Sequence, residues 1–410
     1  MACLPVTHQR EIFIVATICS LALVFATCVD QQKQTDLRGP AYAAATTCIA
    51  CHKEIYDTYS TTAHSLSSQP PSKNAIKGDF EKDSNVFYYR PTLKVAMEER
   101  DSGFYQVAYI DNVERQSERF DLVVGSGTKG QSYLYWHNDK AFQLPVSYFV
   151  PGKAWVNSPA FPPQHVQFNR NIPIGCFECH SSYIRKTGTS VEGNNLVDHF
   201  DKQQVIYGID CQRCHGPAAA HVDFHGQNPA EKRARYITNV STLPEERQLD
   251  MCATCHSGAR ETYKATFNFK PGDTLSKFLF PDSMVVNTDR IDVHGKQYQL
   301  LRVSNCFLKS NTITCSTCHD PHITERGNTA VFSTRCKTCH SSPDHTPLNL
   351  TGAQKAISAG NCIDCHMPAQ PSALITMTAP TQINPIPAMV RTHLIGIYTE
   401  ATKKFLLENK

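Results

Sequence analysis

Seven times this chain repeats the pentapeptide Cys-x-x-Cys-His: at Cys48–His52, Cys176–His180, Cys211–His215, Cys252–His256, Cys315–His319, Cys336–His340 and Cys362–His366. Random placement of 18 Cys and 18 His over 410 residues would give about 0.035 such pentapeptides, so the repeat is no accident. Each is the signature of a covalently attached c-type haem. Residues three apart on a helical turn share a face. The pairs Cys48/Cys51, Cys176/Cys179, Cys211/Cys214, Cys252/Cys255, Cys315/Cys318, Cys336/Cys339 and Cys362/Cys365 can therefore each meet two vinyl groups on one porphyrin edge. The histidines that follow (His52, His180, His215, His256, His319, His340 and His366) then supply the proximal iron ligands. Other readings of Cys-x-x-Cys are poorer. A structural zinc takes two such pairs, and seven is odd. A thioredoxin-like dithiol occurs once, on a βαβ unit, without the histidine.

Seven cofactors on so short a chain leave about 55 residues per haem once an export signal is removed, little protein for each. The porphyrins must supply much of the interior, which fits an apolar content of 41%, slightly low for a soluble domain. The formal charge of +3 gives no support for nucleic-acid binding. Ferric bis-imidazole haems with ionised propionates would bring it to about −4, and full reduction to about −11. Redox state is thus a charge state.

Arg10 precedes an apolar run, Ile12–Cys28, with the shape of a secretory signal and, at 17 residues, marginal length for a membrane span. Export is what bacterial haem c attachment requires. Two processing routes fit. Phe25-Ala26-Thr27-Cys28 is an imperfect lipobox that would make Cys28 the lipidated first residue, and Val24-Phe25-Ala26 is an ordinary A-x-A-like cleavage site. The polar stretch from Asp30 to Arg38 favours a tethered lipoprotein on the periplasmic side. Fourteen cysteines lie in motifs, Cys3 and Cys19 leave with the signal, and Cys28 is the candidate anchor. Only Cys306 remains, expected as a buried, inert thiol.

The first cysteines of successive motifs are 128, 35, 41, 63, 21 and 26 residues apart. The chain divides into a signal (1–27), a polar tether (28–46), a first haem segment (47–84), a β insert (85–160), a six-haem cluster (161–370) and an extended tail with a short terminal helix (371–410). Asn85–Arg90, Leu93–Arg100, Phe104–Ile110, Glu118–Val124, Gln131–Trp136 and Ala141–Val150 are rich in Tyr, Phe and Val and read as strands. Asp101-Ser102-Gly103, Asp111-Asn112 and His137-Asn138-Asp139 separate them as turns. A shorter hairpin is expected at Met284–Leu300. In the cluster each motif should open a short helix, and five prolines from Pro368 to Pro387 should keep the tail extended. The expected fold is therefore a mainly irregular, short-helical multihaem cytochrome c carrying a small antiparallel β insert.

The motif neighbourhoods resemble the cytochrome c-554-like multihaem family, in patches over residues 45–395. The resembling stretches are Cys48–His52 with Thr62-Ala-His64, Gly208–Pro217 with His221, Thr314–His322 and Asn361–Pro368. Val124–Gly127, Tyr133-Leu134, Gln143–Pro145 and Trp155–Pro159 are similar to the β insert of those relatives. Relatives often carry a histidine just after the Gly-Ser-Gly turn. Here stand Thr128 and Lys129, so Lys129 is itself a candidate ligand. The resemblance implies an exported electron-transfer protein with mostly bis-histidine haems.

Ten histidines remain after the proximal seven and His8, enough for bis-His ligation throughout. The best distal candidates are His64, His221, His322, His345 and His393. His64, His221 and His322 follow motifs closely and match the family pattern, and His393 resembles a family position in the tail. Each must be weighed against an ordinary solvated or core histidine. His165, His199 and His225 rank lower. His137 and His294, in expected turns, read as surface residues. Met284, Met377 and Met389 are better read as core or loop. His221 and His322 sit too close to their own motifs to reach the far side of the same iron, so each is expected to serve a neighbouring haem.

Three functions follow. The first is an electron conduit through seven covalent haems c, between a membrane quinol-oxidising donor and a downstream reductase or outer-membrane complex, with a lipid anchor at Cys28 raising effective concentration. The alternative is a reductase or oxidase of small nitrogen or sulfur species at one five-coordinate haem, with Lys129, Tyr133, Arg170 or a spare histidine as proton donor. No Cys-x-x-Cys-Lys motif occurs, which argues against an ammonia-forming nitrite reductase site. The third is a docking module on the β insert, where Tyr88, Tyr89, Tyr105, Tyr109, Tyr133 and Tyr135 fall at strand spacing more typical of core.

Overall fold

A computed structural model of the chain describes residues 36–258, 260–281, 296–310, 312–345, 348–377 and 385–408, with the side chains of 373–375 excepted. The apolar run Ile12–Cys28, the anchor candidate Cys28, His294 and the first part of the expected 284–300 hairpin lie outside the described residues. Among the described residues no helix is long and apolar enough to cross a membrane.

The chain opens with α1 (Ala45–Tyr59), which carries the first motif and kinks at His52. Then come β1 (Ser68–Gln69), β2 (Val86–Arg90), β3 (Leu93–Arg100), β4 (Gly103–Ile110), β5 (Val113–Arg119), β6 (Leu122–Val124), β7 (Gly130–His137), β8 (Lys140–Gln143), β9 (Val146–Phe149), β10 (Ala154–Asn157) and β11 (Arg170–Asn171). β2 to β5 form an antiparallel meander. Its tight turn at Asp111-Asn112 has both residues at positive φ, as a two-residue hairpin loop demands. A seven-stranded sheet runs β1-β6-β7-β8-β11, with β9 paired to β7 and β10. Between these sheets Phe87, Val95, Met97, Phe120, Tyr133 and Trp155 are buried in one core.

Next come α2 (Ile174–His180) and a long antiparallel hairpin, β12 (Ser181–Glu192) and β13 (Asn195–Tyr207). The remaining elements are α3 (Cys211–His215), α4 (Ala219–Gln227), α5 (Glu245–His256), α6 (Gln297–Arg302), α7 (Asn305–Lys309), α8 (Cys315–Cys318), α9 (Thr329–Lys337), α10 (Gly352–Gly360), α11 (Ile363–His366), β14 (Ala369–Met377), β15 (Ile386–Arg391) and α12 (Thr399–Glu408).

The expected mainly irregular, helical class is wrong. Helix and strand are nearly balanced, at 30% and 28%, and the fold is mixed α/β. Three sets of strands account for the difference. β5 reads Val-Glu-Arg-Gln-Ser-Glu-Arg and is largely exposed; an edge strand with charges on both faces shows no alternation for a sequence reading to find. β12 and β13 are rich in Ser, Thr, Lys and Gln, and their tip leaves Val191 and Leu196 about three-quarters exposed, at 73% and 74%. The hairpin buries Ile184 and Phe200 in a second core and leaves its tip to the backbone ladder. β14 and β15 pair despite Pro371 and Pro387, which a two-stranded ribbon tolerates because half of its N–H groups face no partner.

Two smaller expectations also fail. Gln297–Leu300 is helical, not part of a hairpin. The motifs open helices only in part: α3 and α8 begin on the motif's first cysteine, while α2 and α5 end on the motif histidine. The tyrosines of the sheets form no single surface. Tyr133 and Tyr135 are buried and Tyr88 is exposed, while the Tyr89 hydroxyl donates to Asn157 Oδ1 at 2.9 Å.

A candidate multihaem site

All fourteen motif cysteines and all seven motif histidines line one continuous internal space of about 4070 Å³. An ordinary ligand pocket is roughly 300–1,000 Å³, so this is room for several large cofactors. His64, His221, His322, His345 and His393 line it too.

Five of the motif histidines face a second histidine across it. The ring centres of His52 and His221 are 6.3 Å apart, with planes at 15°. His215 faces His322 at 5.9 Å and 21°, His319 faces His393 at 6.1 Å and 29°, and His366 faces His345 at 6.3 Å and 29°. His256 and His64 stand 5.9 Å apart, edge to face at 81°. Two metal–imidazole bonds of about 2 Å each, plus about 1.1 Å from each ring centre to its nitrogen, span about 6.3 Å. The gaps are thus the right width for one iron between two imidazoles.

The second ring nitrogens support the same reading. His215 Nδ1 lies 3.1 Å from the Thr238 carbonyl, His221 Nδ1 2.8 Å from that of Arg235, and His366 Nδ1 2.8 Å from that of Gly396. A carbonyl only accepts, so each Nδ1 carries the proton and each Nε2 keeps a lone pair for a metal. Burial pushes the imidazolium form of His256 and His393 down to about 4. Burial also lowers His64, His215 and His319. Neutral imidazole is the form that ligates. These residues fit haem c.

Tertiary contacts set each facing histidine in place. The His393 carbonyl accepts from Ser304 Oγ at 2.9 Å. Two residues earlier, Arg391 holds the tail by donating to Met367 O at 2.7 Å and to Asp364 Oδ1 at 2.6 Å. Pro229–Ile237 folds back so that Arg235 can brace His221. The second motif is set into the sheet layer: Phe177 stacks on Trp136 at 6.2 Å and packs on Phe200 at 5.1 Å, and Ile174 N–H donates to Asp198 Oδ2 at 2.8 Å.

Of the other described histidines, His137, His165 and His199 lie away from the cavity. His199 is tied to Asp139 Oδ2 at 2.9 Å and to Ser190 Oγ at 2.7 Å on the surface. His137 and His165 are exposed and outside the cavity lining. His225 lines the cavity beside His221, their ring centres 4.6 Å apart. Lys129 lines it as well, and burial, with Arg326 and Arg391 nearby, lowers its ammonium. Cys306 is half-buried, and burial raises its thiol with Cys339 close by.

Sequence reading missed several supports. Arg38, at the end of the polar stretch, is itself buried, joining Asp36 and Asp210. Glu178, inside the second motif, is 2% exposed and accepts from Thr266 Oγ1 at 3.1 Å; burial holds its carboxyl above the usual range. Gly208 leads the chain into the third motif at φ +64, where a Cβ would come within 2.0 Å of the Ser65 carbonyl. Gly208→Ala should destabilise the protein by more than about 2 kcal/mol, from left-handed strain plus overpacking. A denaturant midpoint equal to wild type would show that this crossing yields without cost.

No family model matches the chain. "Multiheme cytochrome MtrA" of Shewanella baltica (strain OS185) is 24% identical over 181 residues, which is 40% of this chain and 51% of the relative. The likeness is to multihaem cytochromes. The chain spans about half the length of this curated relative. Among solved structures, that of Outer Cell Wall Cytochrome OcwA superposes with a TM-score of 0.49 at 15% identity, covering 89% of this chain and 81% of the other.

Proposed function

We propose that this chain is an exported electron-transfer cytochrome binding seven covalent haems c, most of them bis-histidine ligated. The observation that carries the reading is the set of five histidine pairs facing one another across a cavity lined by every Cys-x-x-Cys-His motif. When bound, a bis-histidine haem supplies an iron that changes oxidation state without changing ligands. The protein's part is to orient the facing imidazoles, through burial of His64, His256 and His393 and through backbone carbonyls on His215, His221 and His366. Its partners in this reading are redox proteins: a quinol-oxidising membrane donor on one side, a reductase or outer-membrane complex on the other. Lipidation of Cys28 would hold the protein at the periplasmic membrane face.

The test is the spin state of the oxidised holoprotein, followed by carbon monoxide after reduction. At least five of seven haems are expected to be low-spin and indifferent to carbon monoxide. A largely high-spin spectrum would sink the bis-histidine reading. One high-spin haem that binds carbon monoxide would move the proposal toward the reductase alternative. Intact mass of the mature N-terminus checks the anchor: a start at Cys28 with added lipid is expected, and an unmodified start at Thr27 would end that part.

A further inference from the structure

We infer that the attachment motifs stand in space as a file, first–third–fourth–fifth–sixth–seventh, with the second motif a side branch on the fourth. The inference rests on the seven-haem reading above. The cysteine sulfurs mark where porphyrin edges are tied, so motifs whose cysteines and helices touch tie neighbouring edges.

The first and third motifs are joined by Gln212, between the third pair of cysteines, which accepts from Ala43 N–H at 2.9 Å and donates to Ala43 O at 2.8 Å. Arg213 of the third motif and Cys255 Sγ of the fourth both donate to the Glu178 carbonyl, at 3.0 and 3.8 Å. α5 packs on α8. α8 packs on α9, where Arg335 donates to Cys318 O at 2.8 Å. α9 packs on α11, with Cys362 N–H donating to Ser333 Oγ at 2.9 Å.

The second motif joins this file beside the third and fourth motifs, through its Glu178 carbonyl. α2 packs on α5, and Cys255 Sγ donates to Glu178 O at 3.8 Å. Its other side is the sheet layer, through Phe177 and the Ser67 hydroxyl, which donates to His180 O at 2.8 Å. The facing histidines act as struts along the file. His221 and His345 each reach to the neighbouring motif, and His64 and His322 reach two places along. The first and seventh motifs are the ends of the file.

The test is an anomalous-scattering map of iron in crystals of the holoprotein, which needs no variant. The iron tied by Cys176 and Cys179 is expected to have the iron of Cys252 and Cys255 as its nearest neighbour. That fourth iron is expected to have three close neighbours, and the first and seventh one each. Seven irons with the second nearest to the first or the fifth would overturn the file while leaving the seven-haem reading intact. Fewer than seven irons would overturn that reading and the file with it.

Discussion

His322→Ala is expected to turn one haem of seven high-spin, removing about one-seventh of the low-spin ferric signal and creating one carbon-monoxide site after reduction. His322 follows the fifth motif by three residues, yet its ring lies 5.9 Å from His215 of the third, nearly parallel at 21°. The change should therefore appear at the third haem and spare the fifth, whose His319 faces His393. Electron paramagnetic resonance with the matching His393→Ala variant separates the two, since each should remove a different low-spin component. His137→Ala is the control: that residue is exposed on β7 and outside the cavity. An unchanged His322→Ala spectrum would refute the pairing.

Trp155→Ala should cost about 3–5 kcal/mol, a large share of an ordinary folding free energy of roughly 5–15 kcal/mol. The indole is 3% exposed. It lies 5.6 Å from Tyr133, 5.2 Å from Tyr148 and 6.0 Å from Phe80, centre to centre. Its Nε1–H donates to Asp79 O at 2.8 Å. The chain passes the ring so closely that a Cβ on Gly78 would sit 2.0 Å from it, so the site has little freedom to collapse and refill. Truncation also removes this donor from the Asp79 carbonyl. Urea unfolding followed by strand circular dichroism checks this, and a loss below about 1 kcal/mol would show that the two sheets are held elsewhere.

The seven Cys-x-x-Cys-His motifs were legible because their chemistry is local. Two thiols three residues apart and the next imidazole need only one helical turn, whatever surrounds it. Most strands from Val86 to Phe149 were legible for a similar reason: alternation of Tyr, Phe and Val is written residue by residue. β5 was not, because it carries no buried stripe, and β12 and β13 were not, because their few buried apolar residues, Ile184, Val197 and Phe200, are scattered among polar ones.

His64, His221, His322, His345 and His393 could be named as candidates from position and family likeness. What each one faces could not. His221 and His225 stand four residues apart on one helix and both line the cavity, yet only His221 has the Arg235 carbonyl on its Nδ1 and His52 across from it. Arg38, which reads as part of a flexible tether, is drawn into an ion pair by Asp210, 172 residues away. No window of sequence contains both partners of such contacts.

The amino-acid sequence alone determined the seven Cys-x-x-Cys-His motifs, because each is written within five residues. Tertiary structure alone decided which histidines stand opposite one another and which motifs are neighbours. Those relations depend on how helices carrying different motifs pack, and packing joins residues that the chain keeps far apart.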